Sequence, residues 1–109
     1  MNVLFDNGTP RTLARYLISR HTVTEARARG WDKLENGNLL SAAEAAGFEV
    51  LLTTDKNMQY QQNIAGRKIA VVVLGIGRWK LIKPHVQEIV AAVDASTAGR
   101  FTLVDIPTS

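Results

Sequence analysis

The sequence predicts an α/β fold, a three-layer sandwich in which a mainly parallel sheet of four or five strands carries helices on both faces. Short apolar runs alternate with segments of helical periodicity along the chain. Parallel neighbours need long crossover connections, and this alternation supplies them. The 109 residues contain no linker, repeat or low-complexity segment, which favours a single domain over residues 1–109.

Apolar runs followed by turn-forming residues predict the strands. The predicted strand segments are 3–5, 21–24, 48–53, 69–74 and 101–104. Helices are expected where the apolar spacing changes to three and four residues. The predicted helices are 10–18, which begins with Pro10 after a Thr9 cap, 38–46, which Gly47 closes, 58–64, and 81–95, which tolerates Pro84 near its start. Residues 25–37 are interpreted as a structured loop held by Trp31 and Leu34.

The composition excludes several kinds of site. Without cysteine there is no disulfide, thiolate zinc site, iron–sulfur cluster or cysteine nucleophile, and His21 and His85 are not at ligand spacing. Any metal would therefore take oxygen ligands, which favours magnesium, manganese or calcium. The net charge of +3 and five arginines in the first thirty residues favour an anionic partner.

A membrane partner is not expected, because no apolar run approaches the roughly 18 residues of a membrane span. The first residues lack the basic start and long apolar stretch of a signal peptide. The expected location is the cytoplasm.

Two aspartates follow predicted strands and indicate where chemistry could occur. Asp6 comes after the first strand and Asp55 after the third, and ligand sites of open parallel sheets lie beyond these strand ends. If the two strands are neighbours, as in a 2-1-3-4 order, the carboxylates converge and a divalent cation would relieve their repulsion. Asn7 and Asn57 would add neutral oxygens or hold water. The alternative is that each aspartate only forms a turn or caps a helix.

Other motifs leave further alternatives open. Gly75-Ile76-Gly77 lacks the third glycine of a dinucleotide fingerprint, and the chain has no phosphate-binding loop of the G-K-[ST] type. A phosphate binder that uses helix N-termini remains an alternative. Trp79 lies between Arg78 and Lys80, which suits base stacking and phosphate contact, but a lone tryptophan more often covers an apolar face, here that of the last helix.

Several segments together resemble a known family. They are VLFDNGTPRTLARYL, GW, NGNLLSAAEAAGFEVLLTTDKN, YQQN and GRKIAVVVL with RW downstream. In this order they are similar to a small PIN-like domain family, whose largely uncharacterised members are toxins of bacterial toxin–antitoxin pairs. The resemblance implies a shortened PIN nuclease fold and a ribonuclease that depends on Mg²⁺ or Mn²⁺.

The resemblance assigns catalytic and metal-binding roles to Asp6, at the first acidic position, and to Asp55, in the T-x-D element. The sequence departs from the family pattern at Asn38, where a glutamate is usual, and at Asn57, where a second aspartate is common. Fewer carboxylates weaken metal affinity, so catalysis could be slow or absent. A catalytically inactive module that binds protein or RNA is the alternative. Glu35 could replace the missing acid only if its loop folds inward.

The resemblance also implies an RNA substrate and a small antitoxin protein as partners. Basic residues of the first helix and the residue after Asp55 would steer the RNA backbone, and the amides of the YQQN run lie near the same edge. The predicted nucleic-acid-binding residues are Arg11, Arg15, Lys56, Gln61, Gln62 and Asn63. The oligomeric state, a homodimer included, is left open.

Overall fold

All five strands of the central sheet run parallel, in the order β2-β1-β3-β4-β5. The computed structural model describes residues 1–60 and 64–108. The strands are β1 (Asn2–Phe5), β2 (Thr22–Glu25), β3 (Val50–Thr53), β4 (Ala70–Val73) and β5 (Phe101–Leu103). The predicted α/β sandwich with a parallel sheet and β1 beside β3 is confirmed.

The helices that cover this sheet are short. The α-helices are α1 (Asn36–Ala45), α2 (Trp79–Ile82) and α3 (Val86–Asp94). The 3-10 helices are η1 (Arg11–Tyr16), η2 (Ala26–Arg29), η3 (Lys56–Tyr60), η4 (Ile64–Gly66) and η5 (Lys83–His85). Within residues 1–60 and 64–108, none of the helices is long and apolar enough to cross a bilayer.

The helix boundaries differ from the prediction in four places. The helix expected over 10–18 is the 3-10 helix η1, and the one expected over 81–95 is divided into α2, η5 and α3. The helix is interrupted at Pro84, which lies in η5 between α2 and α3. Proline donates no backbone hydrogen bond, and its ring crowds the preceding turn. The segment 25–37 contains η2 and the start of α1. The helix expected over 58–64 corresponds to η3 and η4, while residues 61–63 of that prediction lie outside the described residues.

Alternation along the strands fills two apolar layers. Phe5 and Leu52 pack with η1, α2 and α3 on one face, in a cluster that we call the first core. Leu4 and Leu51 point to the other face and pack with α1, in the second core. Because both faces are covered, the central strands β3 and β4 are fully buried, as expected of a parallel sheet.

The register of β1 and β3 determines which residues lie at the edge where both strands end. Phe5 pairs with Leu52, so the chain leaves β1 and β3 side by side, and the Asp6 amide donates to the Leu52 carbonyl at 3.2 Å. The loop after β4 packs against the loop after β1. A Cβ atom on Gly77 would lie 2.8 Å from the Gly8 carbonyl oxygen, so this close approach requires glycine.

Candidate functional site

A cleft of about 310 Å³ opens where β1 and β3 end, and both Asp6 and Asp55 line it. The parallel pairing of the two strands causes this juxtaposition, since residues that follow neighbouring parallel strands emerge at one edge. Asn7 and Asn57 line the same cleft. The structure therefore brings together four of the residues that the sequence predicted for the site.

Asp6 is held by two threonine hydroxyls. Thr9 donates to Asp6 Oδ1 at 2.6 Å, and the fully buried Thr53 donates to Asp6 Oδ2. Hydrogen bonds to a carboxylate are stronger than neutral ones and fix its orientation. Each carboxylate oxygen keeps a second lone pair, so Asp6 can still bind a ligand in the cleft.

Asp55 is oriented through the same threonine. Its backbone amide donates to Thr53 Oγ1 at 3.1 Å, while Asp55 Oδ1 accepts the backbone amide of Asn57 at 2.9 Å. The second bond is an Asx turn, the local role that aspartate commonly has after a strand. Within residues 1–60 and 64–108, Asp55 Oδ2 accepts no hydrogen bond, and the Thr53 hydroxyl links the Asp55 backbone to the Asp6 carboxylate.

The opposite wall of the cleft comes from residues 32–36. The Asn7 side-chain amide donates to the Asp32 carbonyl at 2.7 Å and ties this segment to the end of β1. Asp32 and Glu35 line the cleft and both are exposed, and a role for Glu35 in place of the missing acid stays a prediction. Sequence reasoning missed Asp32, because its position depends on a contact 25 residues away.

Asn36 is a second residue that sequence reasoning missed. It lines the cleft in the left-handed region, with φ of 45°, and begins α1. Its Oδ1 atom is buried without a hydrogen-bond partner among the described residues. Buried polar atoms are nearly always paired in folded proteins, so this oxygen is an exception among the described residues. A short polar residue after Glu35 that tolerates the left-handed region was the available signal.

Asn38 does not belong to this group. It is exposed in the first turn of α1, where its backbone amide donates to the Glu35 carbonyl at 3.0 Å, and Leu39 rather than Asn38 lines the cleft. The position where the family resemblance places a glutamate is therefore not among the residues that line the cleft in this chain.

The donor set of the cleft consists of oxygen atoms, which is what magnesium and manganese prefer. In the described residues, no three His, Cys, Asp or Glu side chains are grouped as metal ligands. Magnesium commonly uses only one or two carboxylates and completes its shell with water and substrate phosphate. Asp6 and Asp55 fit a hydrated ion of this kind better than a fully enclosed one.

The predicted RNA-binding residues are dispersed. Arg11 is bound to Glu25 at the end of β2, with its Nε 3.1 Å from Glu25 Oε2, whereas Arg15 is exposed on η1. Lys56 is exposed, and its aliphatic chain packs against Gly75, where an added Cβ would lie 2.5 Å from Lys56 Cε. The predicted residues Gln61, Gln62 and Asn63 lie outside the described part of the chain.

A second polar cluster lies at the amino end of β2. His21 Nε2 is 2.7 Å from Asp94 Oδ1, and Arg20 Nη1 is 2.8 Å from Asp94 Oδ2. The hydrogen bond with His21 holds the pKa of the Asp94 carboxyl below its ordinary value; burial acts in the opposite direction, and the charge of Arg20 adds to the lowering. This cluster ties the end of α3 to β2.

Comparison with protein-family models, with curated proteins and with solved structures gave no match to this chain. The similarity to the PIN-like family therefore remains a prediction from the sequence motifs.

Proposed function

We propose that this chain is a ribonuclease that depends on Mg²⁺ or Mn²⁺ and uses Asp6 and Asp55 to bind the ion. One observation carries the proposal: the pairing of β1 with β3 places both aspartates in a single cleft, joined through Thr53. The sequence resemblance to PIN-like toxins supplies the reaction, and a role as the toxin of a toxin–antitoxin pair in the cytoplasm belongs to the same proposal.

The charge of the cleft gives a physical reason for the ion. Asp6, Asp32, Glu35 and Asp55 all line it, and four carboxylates would repel an RNA backbone. When bound, a divalent cation neutralises charge on the phosphate and acidifies a water molecule. The chain itself orients the Asp6 carboxylate through the hydroxyls of Thr9 and Thr53, and the Asp55 carboxylate through the backbone amide of Asn57.

The test is a titration of the protein with Mn²⁺ by calorimetry, together with cleavage of a mixed single-stranded RNA pool. We expect wild type to bind the ion and cut RNA, and Asp6→Asn and Asp55→Asn each to lose at least tenfold in both, the usual minimum when a supporting residue of a metal site is lost. Asp105→Asn, which removes an exposed carboxylate elsewhere, is the matched control. Cleavage that persists without metal, or in Asp6→Asn, would contradict the proposal.

Two variants that each add a negative charge test where a further carboxylate strengthens metal binding. Asn36→Asp adds a carboxylate inside the cleft at a backbone conformation that aspartate tolerates, so we expect tighter Mn²⁺ binding. Asn38→Glu adds its charge on the exposed side of α1, and we expect little change. A gain confined to Asn38→Glu would instead place the glutamate position of the family pattern in the site.

The alternative function is an inactive module that binds RNA or protein. The absence of three grouped acidic or histidine ligands among the described residues favours it, since fewer carboxylates weaken metal affinity and leave fewer candidate bases. RNA binding without cleavage by wild type, and cleavage gained in Asn36→Asp, would indicate this alternative.

A further inference from the structure

We propose that Tyr16, Trp79 and the groove beside Tyr16 form a base-binding subsite for single-stranded RNA. This inference rests on the proposed action on RNA and names the form of RNA that the chain accepts. Unpaired bases expose flat faces for stacking, whereas bases within a double helix do not.

An aromatic pair provides the stacking surface. The ring centroids of Tyr16 and Trp79 are 5.8 Å apart, with an angle of 33° between the planes. Trp79 is half-buried against the first core, while Tyr16 remains 39% exposed. The half-buried Trp79 ring holds the Tyr16 ring in place, so a base can stack on Tyr16 at little cost in side-chain entropy.

The groove has the size and chemistry for a base. It measures about 360 Å³ and runs along α3, where Gln87, Val90, Ala91 and Asp94 line it at helical spacing. Val90 and Ala91 offer apolar contact, and the exposed Gln87 side chain offers an amide group. Arg20 and His21 close the other end through their bonds to Asp94. A nucleobase, with apolar faces and polar edges, matches this lining.

Basic residues are adjacent in sequence to both members of the aromatic pair. Arg15 precedes Tyr16, and Arg78 and Lys80 flank Trp79; all three are exposed. Within residues 1–60 and 64–108, none of them has a carboxylate within 4.0 Å. Positive charges that neighbour aromatic residues in sequence are of the type suited to phosphate contact alongside base stacking.

The subsite is connected with the acidic cleft through two packed loops. Gly77 lies against the Gly8 carbonyl, two residues after Asp6, and Arg78 and Trp79 follow Gly77 directly. On the other side, η1 carries the chain from the cleft to Tyr16 over six residues, or roughly 12 Å at a 3-10 rise. A strand of a few nucleotides can therefore reach from the cleft to Tyr16.

The direct test measures binding of a fluorescently labelled ten-nucleotide oligoadenylate in an Asp6→Asn background, which prevents cutting. We expect Tyr16→Ala to weaken binding about tenfold, within the range for loss of one base–aromatic stack. Tyr16→Phe should bind as the background does, because it keeps the ring. The loss should disappear with an abasic oligonucleotide, and base stacking should quench Trp79 fluorescence in a Trp31→Phe chain.

Charge variants test the phosphate contacts. Arg78→Gln should reduce the slope of log affinity against log salt by about 0.7, the value for one phosphate contact on a single strand. Lys68→Gln removes an exposed cation that precedes the amino end of β4, at the opposite edge of the sheet, and is the matched control. Equal slopes for the two variants would overturn the assignment of Arg78.

The outcomes separate this inference from the proposed function. If wild type cuts RNA while Tyr16→Ala binds and cuts like Lys68→Gln, the subsite is wrong and the ribonuclease stands. If binding depends on Tyr16 but wild type never cuts, the subsite stands and the ribonuclease falls. If RNA affinity is unchanged while Tyr16→Ala and Ile18→Ala alter sedimentation, the groove contacts protein and the inference is overturned. Ile18 is the second position tested because it is 63% exposed and lies in sequence between Leu17 and Ser19, which line the groove.

Discussion

Thr53 connects the two aspartates of the cleft through one hydroxyl group. This hydroxyl donates a hydrogen bond to the Asp6 carboxylate and accepts one from the Asp55 backbone amide. Thr53 is fully buried at the end of β3. The sequence marks Thr53 only as the first residue of the T-x-D element. Its bond to Asp6 joins residues 47 positions apart, which no local pattern records.

Replacing Thr53 with valine keeps the shape of the side chain and removes this hydroxyl. We expect a loss of about 1–3 kcal/mol in the free energy of unfolding, because the part-buried Asp55 amide and the Asp6 carboxylate each lose a partner. If Asp6 binds the ion, Mn²⁺ affinity should also fall about ten- to hundredfold. Urea unfolding and calorimetry measure the two effects.

Thr102→Val on β5 is the control, since it makes the same substitution on a strand far from the cleft. A Thr53→Val chain with the stability and Mn²⁺ affinity of the control would refute the role assigned to this hydroxyl.

At the scale of elements, the strands were easier to predict than the helices that join them. The apolar runs of β3 and β4 are buried on both faces, so their composition identifies them directly. Gly47 closes α1 in the left-handed region, as its type predicted. The position of residues 32–36 was not predictable, because it depends on the Asn7 contact and on the left-handed Asn36. The cleft was thus predicted along its strand side only.

The tie between α3 and β2 gives a prediction for pH. Because the pKa of Asp94 is lowered in the folded chain, its carboxylate stabilises the fold above the ordinary value of 3.8. That contribution is lost as the pH falls through the lower folded value. We expect Asp94→Asn to cost up to about 1 kcal/mol at pH 6, a small effect because the Arg20 side chain is largely exposed. The difference from wild type should shrink towards pH 3.

Urea unfolding of both chains at the two pH values measures this, with Asp105→Asn as the control for loss of an exposed carboxylate. A cost that stays constant between pH 6 and pH 3 would show that the charge of Asp94 does not stabilise the fold.

At the scale of the molecule, two apolar cores share one sheet. Trp79 packs against the first core and Trp31 against the second, where its ring meets Phe48 edge-on at 6.1 Å. Because every strand contributes to one sheet between the cores, loss of one core exposes the sheet surface of the other. The two cores should therefore unfold together.

Single-tryptophan chains test this coupling. We expect Ile89→Ala in the first core and Leu40→Ala in the second each to cost about 2–5 kcal/mol. Each should shift the unfolding of both reporters equally, with Trp79 observed in Trp31→Phe and Trp31 observed in Trp79→Phe. Separate midpoints for the two tryptophans would show that the cores are independent units.

The parallel pairing also determines when the cleft can exist during folding. None of the four strand pairs is a hairpin, and β1 meets β3 through Val3 and Val50, so a long loop must close before the pair forms. Contacts between residues so far apart in sequence form slowly. A nascent chain that has emerged only as far as β2 carries Asp6 but not its partner strand. The acidic site is therefore assembled only after β3 has been synthesised and has paired with β1. An unfinished chain does not yet have a complete cleft.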